Sequence, residues 1–399
     1  MTTVFDIAPF IPSEAALEKS LLPDKVMALS TRSAELAGGL APESFEVIRR
    51  HMAVINSYYS NLIEGNSTRP HDIRRAQAGD YSDDPFRRDL QKESVAHIEV
   101  QEWLFNESPN LDRIFSHDFL LELHRQFYGA LPDSLKLVHD ETNNAQERVI
   151  PGTWRSRDVS IGSHVPPSSK DLCQLVKRFC ETYHPNRYHG TQKVIAVLSA
   201  HHRFLWIHPF LDGNGRVARL WTDAALRAIG LTSYGLWSIS RGLARTSDQY
   251  KKALAQADFP RQGNIDGRGA LSESGLMNFC DYMLETALDQ VNYMSEMLDL
   301  KALKKRVQAY VTARNHGLIS GFDAPLKHTA TTVIFNAFIS GELDRKEALE
   351  LTAMPERSGR RILSQLREDG LLTETGPRSP LRWAIPEHAE PWYFPELVK

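Results

Sequence analysis

Apolar residues recur at steps of three and four through most of this chain, while strict alternation is rare, so the pattern predicts a mainly helical protein. From Pro42, the residues Phe45, Ile48, Met52, Ile55, Tyr59 and Leu62 form one apolar stripe, and Gly65-Asn66 supplies a stop signal. A shorter helix is expected over 24–37. Further helical stretches run over 91–107, 116–130, 169–183, 191–207 and 216–229. Helical spacing also covers most of the span from Leu276 to Val311. Residues 66–90 read as a connector with one turn of helix, and 138–151 as polar loop. Between them and the later helices, Val159 and Ile161 alternate with Ser160 and Gly162, and Pro166-Pro167 follows. This predicts a short β-hairpin over 152–162.

The period changes again near the C-terminus. Helices are expected over 332–338, 345–351 and 356–368, then strand-like runs over 371–375 and 381–385 flanking a Gly- and Pro-containing turn. Helix, helix, turn, helix and hairpin resemble a winged helix-turn-helix. Arg357, Arg360 and Arg361, with Arg378 in the wing, could meet DNA phosphates, although Glu356, Glu368, Asp369 and Glu374 dilute the basic face. Four consecutive segments follow from these patterns: an N-terminal helical region over 1–110, a core over 111–260, a helical linker over 261–320 and the winged tail over 321–399.

Composition narrows the class. A chain of 399 residues with net charge −3 is neither a nucleic-acid coat nor a ligand for an acidic membrane. No apolar run is long enough to span a bilayer. The first residues carry no apolar signal core, and Cys173, Cys180 and Cys280 lack metal-type spacing, so a reducing cytoplasm is the expected compartment.

The densest chemistry lies between the helices 191–207 and 216–229. Pro209 disfavours helical geometry at His208, so the first helix stops there. Gly213, Asn214 and Gly215 begin the next helix, whose first N–H groups have no partners and whose dipole favours an anion. The glycines remove side chains that would keep a phosphate away. Arg216 and Arg219 lie three apart on the first turns, where the dipole disfavours cations and like charges repel; an anion between them removes both objections. Asp212 is a hard oxygen ligand suited to Mg²⁺ carried on phosphates, and His208 can take a proton near neutral pH. Glu64 sits in the last turn of its helix, where the dipole disfavours a carboxylate. His201, His202 and His208 do not form a metal triad, because adjacent histidines face different sides of a helix. The Gly- and Arg-containing run over 261–269 lacks the GxxxxGK(S/T) spacing of a phosphate loop and reads as a connection.

His208 to Arg219 resembles the full Fic motif, HPFxDGNGRxxR, at every fixed position. Ser60 to Asn66 is similar to the Fic inhibitory motif, S/T-xxx-E-G/N, and the stretch from Gly152 to Gly162 is similar to the flap of Fic proteins. The resemblance implies a helical Fic fold that transfers AMP from ATP to a Ser, Thr or Tyr hydroxyl of a protein, itself included, and releases pyrophosphate. It implies His208 as general base, Asp212 as the Mg²⁺ ligand, and the backbone of Gly213, Asn214 and Gly215 as anion hole. The Asn214 side chain and Arg216 would hold the phosphates, and Phe210 would fix the loop. Arg219 would take the γ-phosphate or else Glu64, with Ser60 and Asn66 in the same regulatory motif. Tyr250 would contact adenine, although a core aromatic fits its spacing equally. Val159, Ser160, Ile161 and Gly162 would hold an extended target segment by its backbone. A homodimer is a family property to which no residue of the sequence points. Three alternatives keep the same motif: removal of AMP with Glu64 activating water, transfer of another phosphate-bearing group, or a nucleotide-sensing regulator that binds DNA through its tail.

Overall fold

Proline and small polar side chains open many of the helices that the apolar periodicity predicts. Pro70 and Pro85 stand in first turns, Asp84 accepts from the Arg87 N–H, Ser116 from Phe119 and Ser238 from Arg241. The computed structural model describes residues 4–140, 145–233, 235–322 and 324–398. Its main helices are α1 (Leu22–Gly38), α2 (Pro42–Ile63), α3 (Pro70–Gln77), α4 (Pro85–Glu107), α5 (His117–Ala130), α6 (Leu172–Tyr183), α7 (Gln192–Ile207), α8 (Asn214–Ala228), α9 (Ile239–Arg245), α10 (Ser247–Ala257) and α11 (Glu273–Leu298). They continue with α12 (Leu300–Asn315), α13 (Thr329–Ser340), α14 (Arg345–Leu351) and α15 (Glu356–Glu368). No helix among the described residues is long and apolar enough to cross a membrane.

The chain divides into two compact units. The first takes Met1–Ser33, Asn56–Tyr234 and Ser238–Gln290; the second takes Ala34–Ile55, Gly235–Trp237 and Val291–Lys399. Each unit draws on separate stretches of chain, because compactness depends on which faces pack rather than on order along the chain.

In the first unit α7 packs on α8, α6 on α7, and α5 on α4 and α8. Phe119, Leu123, Phe127, Val197, Phe204, Leu220 and Trp221 are buried there, and the Trp221 indole N–H donates to the Ile114 carbonyl at 3.0 Å. Asn56, Ser57, Ser60 and Asn61, opposite the apolar stripe of α2, are also buried. Each has a partner: Ser57 donates to the Ser94 carbonyl, Asn61 to Ser57, Asn56 to Gln101, and Ser60 accepts from Arg219. The polar side of this helix end therefore faces protein rather than water.

The hairpin is displaced from its expected place. An antiparallel ladder pairs β1 (Leu137–Asp140) with β2 (Ala145–Arg148), inside the stretch read as loop. Over 152–162 the chain is turn, bend and irregular backbone, and Ile161 forms one bridged pair with His164 around Gly162. The backbone near Arg155 bonds elsewhere: its N–H donates to the Pro209 carbonyl at 2.9 Å, so no partner strand is available to it.

The second unit contains α13, β3 (Glu342–Leu343), α14, α15, β4 (Leu372–Thr373) and β5 (Leu381–Trp383), with sheet order β3-β5-β4. The three helices and the β4–β5 hairpin stand close to the places expected for them. The additional β3 is too short to show alternation in sequence. Trp383 packs on Phe338, ring centroids 4.9 Å apart, and closes its core. Arg357, Arg360, Arg361 and Arg378 are exposed, and Arg360 is paired with Glu356 on the same helix.

Candidate active site

The turn between α7 and α8 is held from several sides. His208 ends α7 with φ +50°, a conformation that few residues other than glycine adopt. Arg155 stabilises it: Nε donates to the His208 carbonyl at 2.8 Å, and Nη1 and Nη2 donate to the Arg157 and Pro167 carbonyls. The Arg155 side chain is fully buried, so its hydrogen bonds replace water for the cation. Phe210 is buried and stacks on His124, centroids 3.9 Å apart, with Trp154 also against it. The Gly152 N–H donates to His124 Nδ1 at 2.8 Å, so Nε2 carries the proton and donates to the Asp212 carbonyl at 3.3 Å. Burial pushes the His124 pKa down to about 4, and the ring stays neutral.

Gly213 caps α8 with φ +82°, and a Cβ there would run into the Tyr128 ring. The N–H groups of Asn214, Gly215 and Arg216 lie in the first turn, beyond the reach of helix carbonyls. The Gly213 N–H donates to Asp212 Oδ1 at 2.6 Å. A Cβ on Gly215 would collide with Glu64 Oε1. The space left by the second glycine is thus filled by a carboxylate oxygen.

Each arginine of the turn has its own acid. Glu64 Oε1 accepts from Arg219 Nη2 at 2.7 Å, while Arg219 also donates to the Ser60 hydroxyl and carbonyl, both at 2.9 Å. Arg219 is buried, and the Glu64 side chain is 33% exposed. Burial would raise the Glu64 pKa, but the charges of Arg219 and Arg216 outweigh it and hold the carboxyl below its usual range. Arg216 pairs with Glu93 on α4, donates to the Tyr128 hydroxyl at 3.1 Å, and lies over the Phe127 ring. Asp212 Oδ2 is 3.5 Å from Arg216 Nη2.

Residues 114–226 match the model of the Fic/DOC family. That stretch is similar to a Fic domain. The protein adenylyltransferase Fic of Drosophila mojavensis is 32% identical over 108 residues, 27% of this chain and 21% of that protein. Its Drosophila grimshawi counterpart is 32% identical over 111 residues, 28% of this chain and 20% of that protein. The chain thus spans about a fifth of the length of these relatives. In fold, the chain is similar to a Fic family protein of Desulfovibrio desulfuricans, with TM-score 0.51, 18% identity, and coverage of 90% of this chain and 96% of that one. It is also similar to a Fic domain containing signaling protein of Bacteroides thetaiotaomicron, with TM-score 0.53, 20% identity, and coverage of 68% and 96%.

The structure brings His208, Asp212, Gly213, Asn214, Gly215, Arg216 and Arg219 of the matched stretch, with Glu64 and Ser60 from outside it, around one turn, and it changes several of their expected parts. Burial first, then the charges of Arg155 and His164, lower the His208 pKa to about 4, so the imidazole is neutral well below neutral pH rather than titrating there. Burial would raise the Asp212 carboxyl, but Arg216 outweighs it and the group stays ionised. The Asn214 side chain does not reach toward a phosphate. Its amide donates to the Phe210 carbonyl and its oxygen accepts from the Phe210 N–H, both at 2.9 Å, because a tight turn needs its own main chain satisfied. Tyr250 is 3% exposed and its hydroxyl bonds His201 at 2.8 Å, so it offers no face to a base. Asn66 does not touch Arg219; it donates to Glu93 Oε2 at 2.8 Å and to the Leu90 carbonyl at 3.0 Å. Val159 is half-buried, and Ser160, Ile161 and Gly162 are exposed.

Sequence reasoning missed Glu93, His124, Tyr128 and Arg155. For Glu93 one signal existed. It lies among Gln91, Ser94, His97 and Gln101, polar residues at helical spacing that are all buried, on a face that a sequence reader assigns to water. Among the described residues no group of three or more His, Cys, Asp or Glu could hold a metal ion. Asp212 offers one ionised carboxylate, 46% exposed, beside the anion turn. A single carboxylate suits Mg²⁺ that arrives on phosphates and keeps most of its ligands from them and from water.

Proposed function

We propose that this protein transfers AMP from ATP to a hydroxyl of a protein, and that Glu64 holds the enzyme inhibited. The observation that carries this reading is the Glu64 carboxylate lying against Gly215 and bonded to Arg219 at 2.7 Å. An anion already occupies the place where the turn and its arginines would receive one. A phosphate chain and this carboxylate compete for the same donors.

In the productive state the hydroxyl oxygen forms a bond to the α-phosphorus, and the bond from that phosphorus to the oxygen bridging to the β-phosphate breaks. Pyrophosphate leaves, and the hydroxyl proton passes to His208. The neutral imidazole is ready to accept it, and Arg155 fixes the main chain from which it projects. The N–H groups of Gly215 and Arg216 and the guanidinium of Arg219 stabilise charge on the phosphates. Mg²⁺, when bound at Asp212, supplies further neutralisation of the phosphate oxygens. The exposed Ser160, Ile161 and Gly162 border the turn's supporting segment and can hold an extended target by backbone hydrogen bonds.

The test uses ATP labelled at the α-phosphate with wild type, Glu64→Gly and Glu64→Gly/His208→Ala, and reads label bound covalently to the enzyme or to proteins of a cell lysate. Label in Glu64→Gly alone is the expected result. Absence of label from every sample, with ATP binding intact, would refute AMP transfer.

A further inference from the structure

The first arginine of the turn has a fixed partner outside the motif. Arg216 is 7% exposed and projects from the first turn of α8, where the helix dipole opposes a cation. Its Nη1 is bonded to Glu93, itself 5% exposed and on α4. Its Nη2 points the other way, 3.1 Å from the Tyr128 hydroxyl and 3.5 Å from Asp212. Its Nε has no hydrogen-bond partner among the described residues although it is buried. Phe127 and Tyr128 lie under the guanidinium plane, 5.3 and 5.8 Å from its carbon. One edge of the fork is therefore anchored, the guanidinium lies against two rings, and Nη2 reaches Tyr128 and Asp212 beside the turn.

Glu93 is oriented in turn. Its other oxygen accepts from Asn66 at 2.8 Å, and the Asn66 oxygen accepts from the Thr68 N–H at 3.0 Å and from its hydroxyl at 2.7 Å. Asn66 lies two residues after Glu64. The segment that places a carboxylate on Arg219 thereby also fixes the acid that holds Arg216.

We propose that Glu93 is a positioning residue of the reaction: it holds Arg216 at the angle from which its free donors meet the phosphate chain of ATP, and Asn66 sets the orientation of Glu93. Resting on the ATP-dependent reading above, the inference adds a residue that the motif does not contain. Without this acid the buried guanidinium loses its closest counter-charge and its anchored edge, so it swings or pairs more closely with Asp212. Either outcome weakens phosphate binding more than it alters the chemical step.

The test is made in the Glu64→Gly chain, where Arg219 is free. Glu93→Gln keeps volume and the bond from Asn66 but removes the charge. Titration calorimetry with Mg-ATP, transfer kinetics and thermal unfolding are read together. The expected result is about a tenfold weaker ATP affinity and an equal rise in KM for ATP, with kcat changed less than about threefold. In an Arg216→Gln parent, Glu93→Gln should weaken ATP no further, because its effect passes through Arg216. Glu93→Asp, which keeps charge but loses reach, should fall between and serves if Glu93→Gln folds poorly. Unchanged ATP affinity overturns the proposal, as does a full additional loss in the Arg216→Gln parent, which would mark Glu93 as structural. A Glu64→Gly parent that binds no ATP overturns the parent reading and this inference with it. ATP binding without transfer overturns AMP transfer alone and leaves the affinities to decide on Glu93.

Discussion

Replacing Glu64 by glycine should raise activity and lower stability together, and the sizes follow from the contacts. The carboxylate makes one charge-assisted hydrogen bond to a buried arginine at 2.7 Å. Such a bond contributes about 1.5–3 kcal/mol, and the 33% exposure of the Glu64 side chain favours the lower half of that range. When Glu64 is gone the buried Arg219 loses its acid partner but keeps two hydrogen bonds to Ser60, which limits the cost. A competitor worth about 1.5–2 kcal/mol corresponds to roughly ten- to thirtyfold in productive ATP binding. The assay is kcat/KM for ATP in covalent AMP transfer, which should rise by that factor in Glu64→Gly. The melting temperature without nucleotide should fall by about 2–4 °C. Glu64→Gln keeps the length and loses the charge, and should lie between on both scales. An unchanged kcat/KM, or a rise in KM for ATP, would refute the idea that carboxylate and phosphate share one place.

Other outcomes follow from the same geometry. His208→Ala in the Glu64→Gly chain should reduce transfer by about 10²–10⁴-fold with ATP affinity intact, as measured by calorimetry. Because the His208 pKa is lowered to about 4, kcat/KM should stay level from about pH 7 down to about pH 5; a midpoint near the ordinary histidine value would contradict the buried neutral base. The Glu64 carboxyl is held below its ordinary value, so its contribution is present above that value and is lost only as pH falls through the lower folded one. The ratio of Glu64→Gly to wild-type activity should therefore be constant from about pH 6 to about pH 9. Burial raises the Asp223 pKa to about 7 despite a hydrogen bond from Asn56. The folded state keeps a proton that the unfolded state releases, and stability declines as pH rises through that interval. Asp223→Asn should raise the melting temperature near pH 8 and leave it unchanged near pH 4, as read by calorimetric scans.

The helical spacing of the apolar residues determined the helices around the turn, and Pro209 with Gly213 determined where they break. The same local rules identified the anion turn, because unpaired N–H groups, glycines and arginines at a helix start have consequences that do not depend on the rest of the fold. The misplaced Glu64 was legible for the same reason: a carboxylate in the last turn violates a local preference. What the sequence could not show is which polar faces are buried. Ser60 and Glu93 lie on helix faces that periodicity assigns to water, and only packing turns them onto Arg219 and Arg216, with Asn66 of the following turn bonded to Glu93. The hairpin was misplaced because short strands depend on a partner, and the Arg155 N–H spends its bond on Pro209. The roles of Asn214 and Tyr250 changed on the same ground, since a side chain that can bind a ligand can equally satisfy a neighbouring main chain or a buried histidine. Local sequence thus determined where the turn between α7 and α8 lies and which of its N–H groups are left without helix partners. Tertiary structure alone decided which side chains hold its arginines, because a buried charge finds its partner through space and not along the chain.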